Sequence, residues 1–468
     1  MPEEKVTTAS APPVALRDED GALREEFVDG VAQAIAAGNA AALRLLLGDL
    51  HESDVGDLIQ ALDPELRAPL VSLMGHGFDF SALTEVDTAV RASILEALPP
   101  ETVAEGVREL DSDDAVAILA DLPTEAQTKI LERLPSPERV ALARSLLYPE
   151  NSAGRRMQTE FIAVPPAWTV GRTIDYLRET PDLPDRFWEL YTVEATGRLE
   201  GTVALDRLLR TKRPVPIRGL IDEEAHLVRV SDDQEDVARL FERYDLVSAP
   251  VVDANDRLVG VITFDDIVDV IEEEAEEDIR ALGGVGREEE LSDPVFSIAR
   301  GRFNWLLVNL ATAFLASSVL GLFEGELQKM VALAVLAPIV ASQGGNAATQ
   351  TMTVAVRALA RRELSNANAA RIILREVLVG LVNGLAFAVI TGLAAAAWFK
   401  IPDLGLVIGL AMICNLLAAA LGGILVPLAL SFFRADPAIS SGVFVTTVTD
   451  VVGFFSFLGV ATLWFGLK

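Results

Sequence analysis

Residues 438–465 read AISSGVFVTTVTDVVGFFSFLGVATLWF, and this stretch decides what kind of protein the chain is. Almost every residue in it is apolar or small, and a helix that crosses a bilayer needs about 20 such residues. Asp450 lies in the middle of the run. A carboxylate at that depth is unfavourable unless water, a hydrogen-bond partner or a cation meets it. No Lys, Arg or His occupies the central part of any span. A cation pathway therefore explains Asp450 better than a structural hydrogen bond between helices does.

The charge of the chain divides sharply near residue 300. Only seven of the 69 acidic residues lie after residue 301, so the first part carries −33 and the second +3, which together give the formal net charge of −30. So acidic a first part excludes nucleic-acid binding through phosphate contacts, which need basic patches. It attracts cations instead, and repels itself when they are absent.

Other residue types exclude further classes of function. The single cysteine, Cys414, lies in a hydrophobic span and allows neither an intrachain disulfide nor a zinc cluster, and the three histidines are widely spread. No nucleophile–base pair or phosphate-binding loop is present, so we do not expect an enzyme. The N-terminus is polar and lacks the apolar core of a signal peptide, which predicts that the first 300 residues stay in the cytoplasm.

The first 150 residues predict a short tail followed by a helical domain. Residues 1–24 are rich in Ala, Pro, Ser, Thr and charge, which is typical of disorder. Over 25–150, apolar residues recur every 12 positions, at Leu50, Leu62, Met74, Val86, Leu98, Leu110, Leu122 and Leu134. Helix-start signals follow several of them, at Asp63-Pro64-Glu65, Pro99-Pro100-Glu101, Asp111-Ser112-Asp113 and Pro123-Thr124-Glu125. The pattern predicts short helices stacked into a superhelical N domain with the recurring apolar residues inside, its hand left open.

Residues 151–271 contain two β-rich units about 60 residues apart. Each has two short strands joined by a polar turn, with a helix after the second strand. These units resemble a tandem pair of α+β CBS domains, a sensor module that often binds adenosine nucleotides or ions. The CBS nucleotide pattern places Thr or Ser three residues before Asp. The second unit matches with Thr263 and Asp266, whereas the first has Ala204 and Arg207. The resemblance thus implies at most one site of the usual kind for ATP.

An acidic connecting helix is assigned to residues 272–300, and the acidic run that leads into it begins at Asp265. Three- and four-residue spacing would place four carboxylates on one side of a helix, those of Asp266, Asp269, Glu273 and Glu277. Divalent cations would relieve their mutual repulsion, while the alternative is a solvated acidic connector. Glycines at 283, 284 and 286 predict a flexible break before the membrane part.

Residues 301–468 predict a transmembrane domain of five helices, at 303–323, 329–355, 372–399, 404–433 and 438–466. Basic residues precede the first span and fill the loop after the second, which predicts a cytoplasmic N-terminus and an external C-terminus. In the second span, Pro338 and the pair Gly344-Gly345 predict an irregular backbone beside Asn346. Such backbone is tolerated only against protein or a watery cavity, so a pore lining is favoured over an ordinary kinked helix.

Several membrane motifs together are similar to those of the MgtE family of magnesium channels. They are Pro338-Ile-Val-Ala-Ser-Gln-Gly-Gly-Asn346, Arg434-Ala-Asp-Pro-Ala438, Ser441-Gly442, Thr446-Thr447 and Asp450-Val-Val-Gly453. The resemblance extends over essentially the whole chain after the tail. It implies a homodimer in the lipid of the cell membrane, plasma or inner, with a pore at the subunit interface lined by the second and fifth spans. The residues implied at the pore are Asp450, Asn346, Gly345, Thr446 and Ala435.

The resemblance also implies that intracellular Mg²⁺ closes the pore by bridging acidic residues of the N domain, the CBS pair and the connecting, or plug, helix. The matching positions are Asp233, Glu235, Asp245, Asp266, Asp269, Glu274 and Glu277, with Asp111 and Asp114 on the N domain. Two alternatives stay open at this point. One is a broader transporter that admits Co²⁺ or Ni²⁺, and the other is a CBS-type membrane sensor without transport. Channel and proton-coupled mechanisms are not distinguished.

Overall fold

The computed structural model describes residues 16–181, 183–184, 186–222, 225–286, 289, 294–364, 368–433 and 435–467. The chain forms two compact units, which divide between Glu273 and Glu274.

Short helices build the first part of the first unit. They are α1 Glu25–Ala36, α2 Ala40–Leu47, α3 Glu52–Ala61, α4 Pro64–Met74, α5 Thr88–Ala97, α6 Pro100–Val107, α7 Ser112–Ala120, α8 Thr124–Leu131 and α9 Ser136–Ser145. Helices α4, α6, α7 and α8 begin at the predicted start signals. Six of the eight recurring apolar residues are buried, and Leu50 and Leu110 pack against the same core. The prediction of stacked helices with the repeat inside is confirmed.

The predicted disordered tail is only partly within the described residues. Residues 1–15 lie outside them. From residue 16 onward the prediction of disorder is wrong, because Arg17 forms a bridge with Leu23 and ion pairs with two carboxylates of α3. Its guanidinium lies 2.7 Å from Asp54 and 2.6 Å from Asp57. These pairs tie the segment to the helical domain.

Two small α+β units complete the first unit of the chain. The elements of the first are α10 Ala153–Arg156, β1 Ala163–Val164, α11 Val170–Glu179, β2 Glu189–Val193, β3 Leu199–Ala204 and α12 Leu205–Leu209, and those of the second are β4 Val228–Arg229, α13 Gln234–Tyr244, β5 Ser248–Val252 and β6 Leu258–Thr263. Each sheet has three strands, the first two parallel and the last two antiparallel. The repeated strand–turn–strand–helix pattern is confirmed.

The acidic helix differs from its predicted range. Helix α14 spans Phe264–Leu282 and starts directly after β6. It therefore begins eight residues before 272 and ends well before 300. The predicted glycines do follow the end of the helix, where Gly284 adopts a left-handed φ of 69°, and the flexibility expected there stays a prediction.

The second unit contains the long apolar helices. These are α15 Val295–Gly321, the short α16 Glu324–Lys329, α17 Val331–Ala360, α18 Ala369–Phe399, α19 Pro402–Phe432 and α20 Pro437–Phe465. Five helices are long and apolar enough to cross a membrane. Helix α19 is the most buried and packs against α17, α18 and α20. The expected irregular backbone is wrong: α17 runs without a break through Pro338 and Gly344. A proline is tolerated within a membrane helix where neighbouring helices satisfy the freed backbone groups, and small residues such as glycine allow helices to pack closely.

Candidate cation sites

The first candidate site forms where α7 of the helical domain meets the start of α14. Ser112, the first residue of α7, fixes this contact. Its backbone N–H and its hydroxyl donate to a carboxylate oxygen of Glu160, at 3.2 and 2.8 Å. The backbone N–H of Thr159 donates to the Ser112 hydroxyl at 2.7 Å. These bonds bring the acidic first turn of α7 against Asp266.

Asp113 and Asp114 of α7 resist ionisation in this position. Burial raises the pKa of Asp113 well above its ordinary value, and the nearby carboxylates of Asp266 and Asp114 raise it further. Asp113 and Asp266 share a side-chain hydrogen bond, and the pKa of each is raised. Burial also raises the pKa of Asp114 to about 7, with contributions from Asp266, Asp111 and Glu52. The arrangement is electrostatically unfavourable when every carboxyl group is ionised.

Two carboxylates of α14 face the same cluster. Burial raises the pKa of Asp266, while hydrogen bonds from Thr263 and Asp113 partly offset that rise. Burial, followed by the charges of Glu85 and Asp266, raises the pKa of Asp269 to about 6. We call Asp113, Asp114, Asp266 and Asp269 the acidic cluster.

Not all of the predicted helix-face charges are unpaired. The expectation of four unrelieved carboxylates is wrong for Glu273, which forms an ion pair with Arg156 of α10. Arg156 also donates to Gln234 at 2.9 Å. Asp266 and Asp269, in the first two turns of α14, are the members of this set whose charges act on Asp113 or Asp114.

The predicted acidic ligands in α13 contact their own helix. Asp233 caps its N-terminus by accepting from the N–H of Glu235 at 3.0 Å. Glu235 forms an ion pair with Arg239. Asp245 ends the helix in a left-handed conformation with φ of 52°.

The other predicted acidic residues occupy different surroundings. Asp111 is exposed and precedes α7, where its charge raises the pKa of Asp114. Glu274 and Glu277 continue along α14 into the second unit and are half-buried. Thr263 donates its hydroxyl to Asp266 at 2.8 Å, so the two residues of the proposed nucleotide pattern do lie together.

A preassembled metal centre is absent from the part of the chain that is described, since no group of three or more His, Cys, Asp or Glu residues is arranged to hold an ion. Mg²⁺ does not require one, because it keeps several of its waters and is often bound through one or two carboxylates. The acidic cluster fits such an ion on charge and chemistry. Its carboxylate oxygens crowd together, and within the described part of the chain no Lys or Arg forms an ion pair with any of the four residues.

The second candidate site lies where α17 crosses α20. A methyl group on Gly345 would lie 3.8 Å from Thr446 Cγ2 and 3.9 Å from the hydroxyl of Thr449, so the two helices approach closely there. Asp450 follows Thr449 and is half-buried, and Asn346 follows Gly345 and is exposed. The structure thus brings four of the five predicted pore residues to one crossing, near the middle of both helices.

The Asp450 carboxylate has no hydrogen-bond or ion-pair partner among the described residues. The hydroxyls of Thr446, Thr447 and Thr449 donate to carbonyl groups of their own helix. Ala435, the fifth predicted pore residue, lies in the exposed turn between α19 and α20. It is separated from Asp450 by about 20 Å of helix. Arg434 and the side chain of Ser441, which belong to the quoted motifs, lie outside the described residues.

Two residues of these sites were missed by the sequence reasoning. Asp113 was taken as part of a helix-start signal, although its place in the first turn beside Asp114 was the available indication. Asn415 is fully buried in α19. Its signal was a lone amide within a strongly apolar span.

Fold and sites together define a five-span membrane protein whose acidic soluble region combines a helical domain with CBS units. The chain is 32% identical to the magnesium transporter MgtE of Thermus thermophilus, over 94% of this chain and 99% of the relative. It is 33% identical to the one of Enterococcus faecalis, over 70% and 72%. The chain therefore belongs to the MgtE family.

Family models match in three places. Residues 337–460 match the divalent cation transporter model, residues 50–151 the MgtE intracellular N domain, and residues 217–273 the CBS domain. A solved structure described as the cytosolic domain of the Mg²⁺ channel MgtE in complex with ATP is 29% identical, covers 52% of this chain and 99% of that one, and has a TM-score of 0.48.

Proposed function

We propose that this chain transports Mg²⁺ through a pore that two copies form around the crossing of α17 and α20. The observation that carries this proposal is the surface position of Asp450 and Asn346. Asp450 is half-buried and Asn346 is exposed in the single chain. In an isolated bundle both would meet lipid at mid-membrane depth, which strongly disfavours a carboxylate. A second copy that covers this face removes that cost.

Two Asp450 carboxylates, one from each copy, suit a hydrated Mg²⁺ ion. Mg²⁺ loses its water reluctantly and prefers oxygen ligands. Carboxylates that contact the ion through its waters attract it without binding it too tightly to leave. Gly345 permits the close approach of the helices, and the Asn346 amide contributes a polar contact. With the N-terminus in the cytoplasm of the cell, basic residues of the α17–α18 loop lie on the inner side.

The acidic cluster supplies the regulation in this proposal. When intracellular Mg²⁺ is plentiful, the ion neutralises the carboxylates that α7 and α14 bring together, and the docked arrangement persists. When Mg²⁺ falls, repulsion separates the helical domain from α14. A docked state stabilised by bound Mg²⁺ makes the ion an inhibitor of its own uptake, by linkage between binding and conformation.

The test is Mg²⁺ uptake into liposomes that contain the purified full chain, followed with an entrapped indicator dye. We expect flux from the wild type and at least a tenfold loss in Asp450→Asn. Asp403→Asn is the matched control, because Asp403 is an exposed acid in the first turn of α19. It should retain wild-type flux.

The same assay separates the alternatives. Equal Mg²⁺ and Co²⁺ fluxes would favour the broader divalent transporter. No flux of either ion from the folded wild type, at low Mg²⁺ on the cytoplasmic side, would overturn the proposal in favour of a sensor without transport. Equal Mg²⁺ flux in wild type and Asp450→Asn would remove Asp450 from the pore.

A further inference from the structure

Asn415 of α19 is the point at which three spans meet. Its side chain is fully buried, and its Nδ2 donates to the carbonyl oxygen of Val340 in α17 at 2.7 Å. A methyl group on Gly344 of α17 would lie 2.1 Å from Nδ2, and one on Gly453 of α20 would lie 2.8 Å from the same atom. The amide therefore fills a space that only two glycines, one on each neighbouring span, leave open.

Stability alone does not account for this asparagine. Its Oδ1 is buried and has no hydrogen-bond partner among the described residues. A half-satisfied buried amide is less favourable than an apolar side chain of similar size. A polar group in such a position is better explained by the register it imposes, because its hydrogen bond is satisfied at only one position along the neighbouring helix.

The register that Asn415 sets is that of the candidate pore. Gly344 immediately precedes Gly345 and Asn346, and Gly453 lies three residues after Asp450. Asn415 thus contacts the rear of both pore-lining segments, less than one helical turn from the predicted selectivity residues.

We propose that Asn415 is a positioning residue that sets the spacing between α17 and α20 and thereby the selectivity of the pore. This proposal rests on the proposed transport function. It does not touch the ion. Its hydrogen bond to Val340 holds α17, and its contact with Gly453 holds α20. Loss of the Asn415 amide lets the two spans shift. The Asp450 carboxylate and the Asn346 amide at the crossing then no longer match the size of one ion.

The first experiment compares Asn415→Ala and Asn415→Asp with the wild type in liposomes. The aspartate variant keeps the shape of the side chain and replaces the amide N–H donor with a carboxyl group. We expect both to lower the ratio of Mg²⁺ to Ca²⁺ flux at least fivefold. Met412→Ala is the control, since Met412 is fully buried one turn earlier on α19, and the atoms nearest to the space beside both glycines belong to Asn415 instead. It should lower the melting temperature without changing the flux ratio. A wild-type flux ratio in folded Asn415→Ala would overturn the proposal.

A second pair of variants keeps the proposal testable should the single substitutions misfold. Gly344→Ala places a methyl group against the amide and should reduce flux at least tenfold. Adding Asn415→Ala to Gly344→Ala restores the space and should recover most of the flux. Absence of recovery in a folded double variant would contradict the positioning role.

A third measurement does not depend on transport, so it separates this inference from the proposed function. In a Cys414→Ala background, cysteines replace Gly345 and Thr446, because a side chain at position 345 would lie 3.8 Å from the Thr446 methyl group. We expect efficient oxidative cross-linking, and at least a threefold slower reaction after Asn415→Ala but not after Met412→Ala. An unchanged cross-linking rate would refute the inference even where transport is established. A slowed rate without any wild-type flux would leave the positioning intact and refute the pore.

Discussion

Neutralising Asp114 should strengthen the docking of α7 against α14 when Mg²⁺ is absent. A ligand lost from a metal site is usually expected to weaken the closed arrangement. Here burial is the largest cause of the raised pKa of Asp114, and surrounding carboxylates add to it. An asparagine avoids both unfavourable effects while keeping the size of the side chain. We therefore predict that Asp114→Asn docks more firmly than the wild type in Mg²⁺-free buffer at pH 8.

The size of the effect follows from the pKa. A rise from 3.8 to about 7 corresponds to roughly 4 kcal/mol of disfavoured ionisation at pH 8, at 1.36 kcal/mol per pKa unit. Because Asp114 is half-buried and solvent screens part of its charge, about 1–2 kcal/mol is the realistic gain. The opening equilibrium should therefore shift by about 5- to 30-fold.

Hydrogen–deuterium exchange on the full chain in detergent measures this equilibrium. The reporting amide is that of Ser112, whose hydrogen bond to Glu160 forms only while the helical domain is docked. Glu125→Gln is the control of equal charge change, since Glu125 is exposed and pairs with Lys129. Adding Mg²⁺ should slow exchange strongly in the wild type. In Asp114→Asn, which is already protected without Mg²⁺, it should slow exchange only slightly further. Faster exchange in Mg²⁺-free Asp114→Asn than in the wild type would refute the reasoning.

Three further predictions test the soluble unit of the full chain. The docked state holds acids with raised pKa values, so it binds more protons than the open state. Docking without Mg²⁺ should therefore be firm at pH 5 and be lost as the pH rises through 6 to 7. Hydrogen exchange of the Ser112 amide that did not depend on pH would contradict this. Arg91→Met should destabilise the helical domain by about 3–5 kcal/mol, because it removes the ion-pair partner of Asp121. The Asp121 side chain is only 16% exposed and lies 2.5 Å from the Arg91 guanidinium, so calorimetry should show a clearly lower melting temperature. Gly106→Ala should cost about 1–3 kcal/mol because its methyl group would lie 2.2 Å from a ring carbon of Phe80, and an unchanged melting temperature would show that the ring moves freely.

Local signals were sufficient to predict the elements of this fold. The 12-residue repeat and the residues before Pro64 and Pro100 specify helix starts through backbone chemistry that acts over one turn. The apolar spans follow from length and composition alone. Predictions that depended on packing did worse. The irregular backbone expected at Pro338 and Gly344 is not found, since α17 continues through both residues, and the sequence of one helix does not show how its neighbours accommodate them.

The site residues show the same difference between what local sequence predicts and what only packing determines. Asp450 was identifiable because a carboxylate in an apolar run is unfavourable whatever surrounds it. Asp113 was not, because its burial arises only when α7 docks against α14, and an acid in the first turn of a helix is ordinarily a solvated cap. Asn415 is the extreme case. Its importance comes from two glycines on other spans, at positions 71 residues before and 38 residues after it in the printed sequence.

The acidic cluster and Asp450 share a physical property that links them to one ligand. A structural carboxylate in a folded protein normally has a basic or hydrogen-bonding partner, as Glu273 has in Arg156 and Asp121 in Arg91. The cluster instead crowds acids against one another, and Asp450 is half-buried without a hydrogen-bond or ion-pair partner among the described residues. Local rules of stability are broken in both places, and such violations are expected where function requires them. A small divalent cation with a retained water shell would satisfy both sites, one as regulator and one as cargo. That common requirement is why the response of the docked state to Mg²⁺ and the flux through Asp450 should be measured on the same preparation.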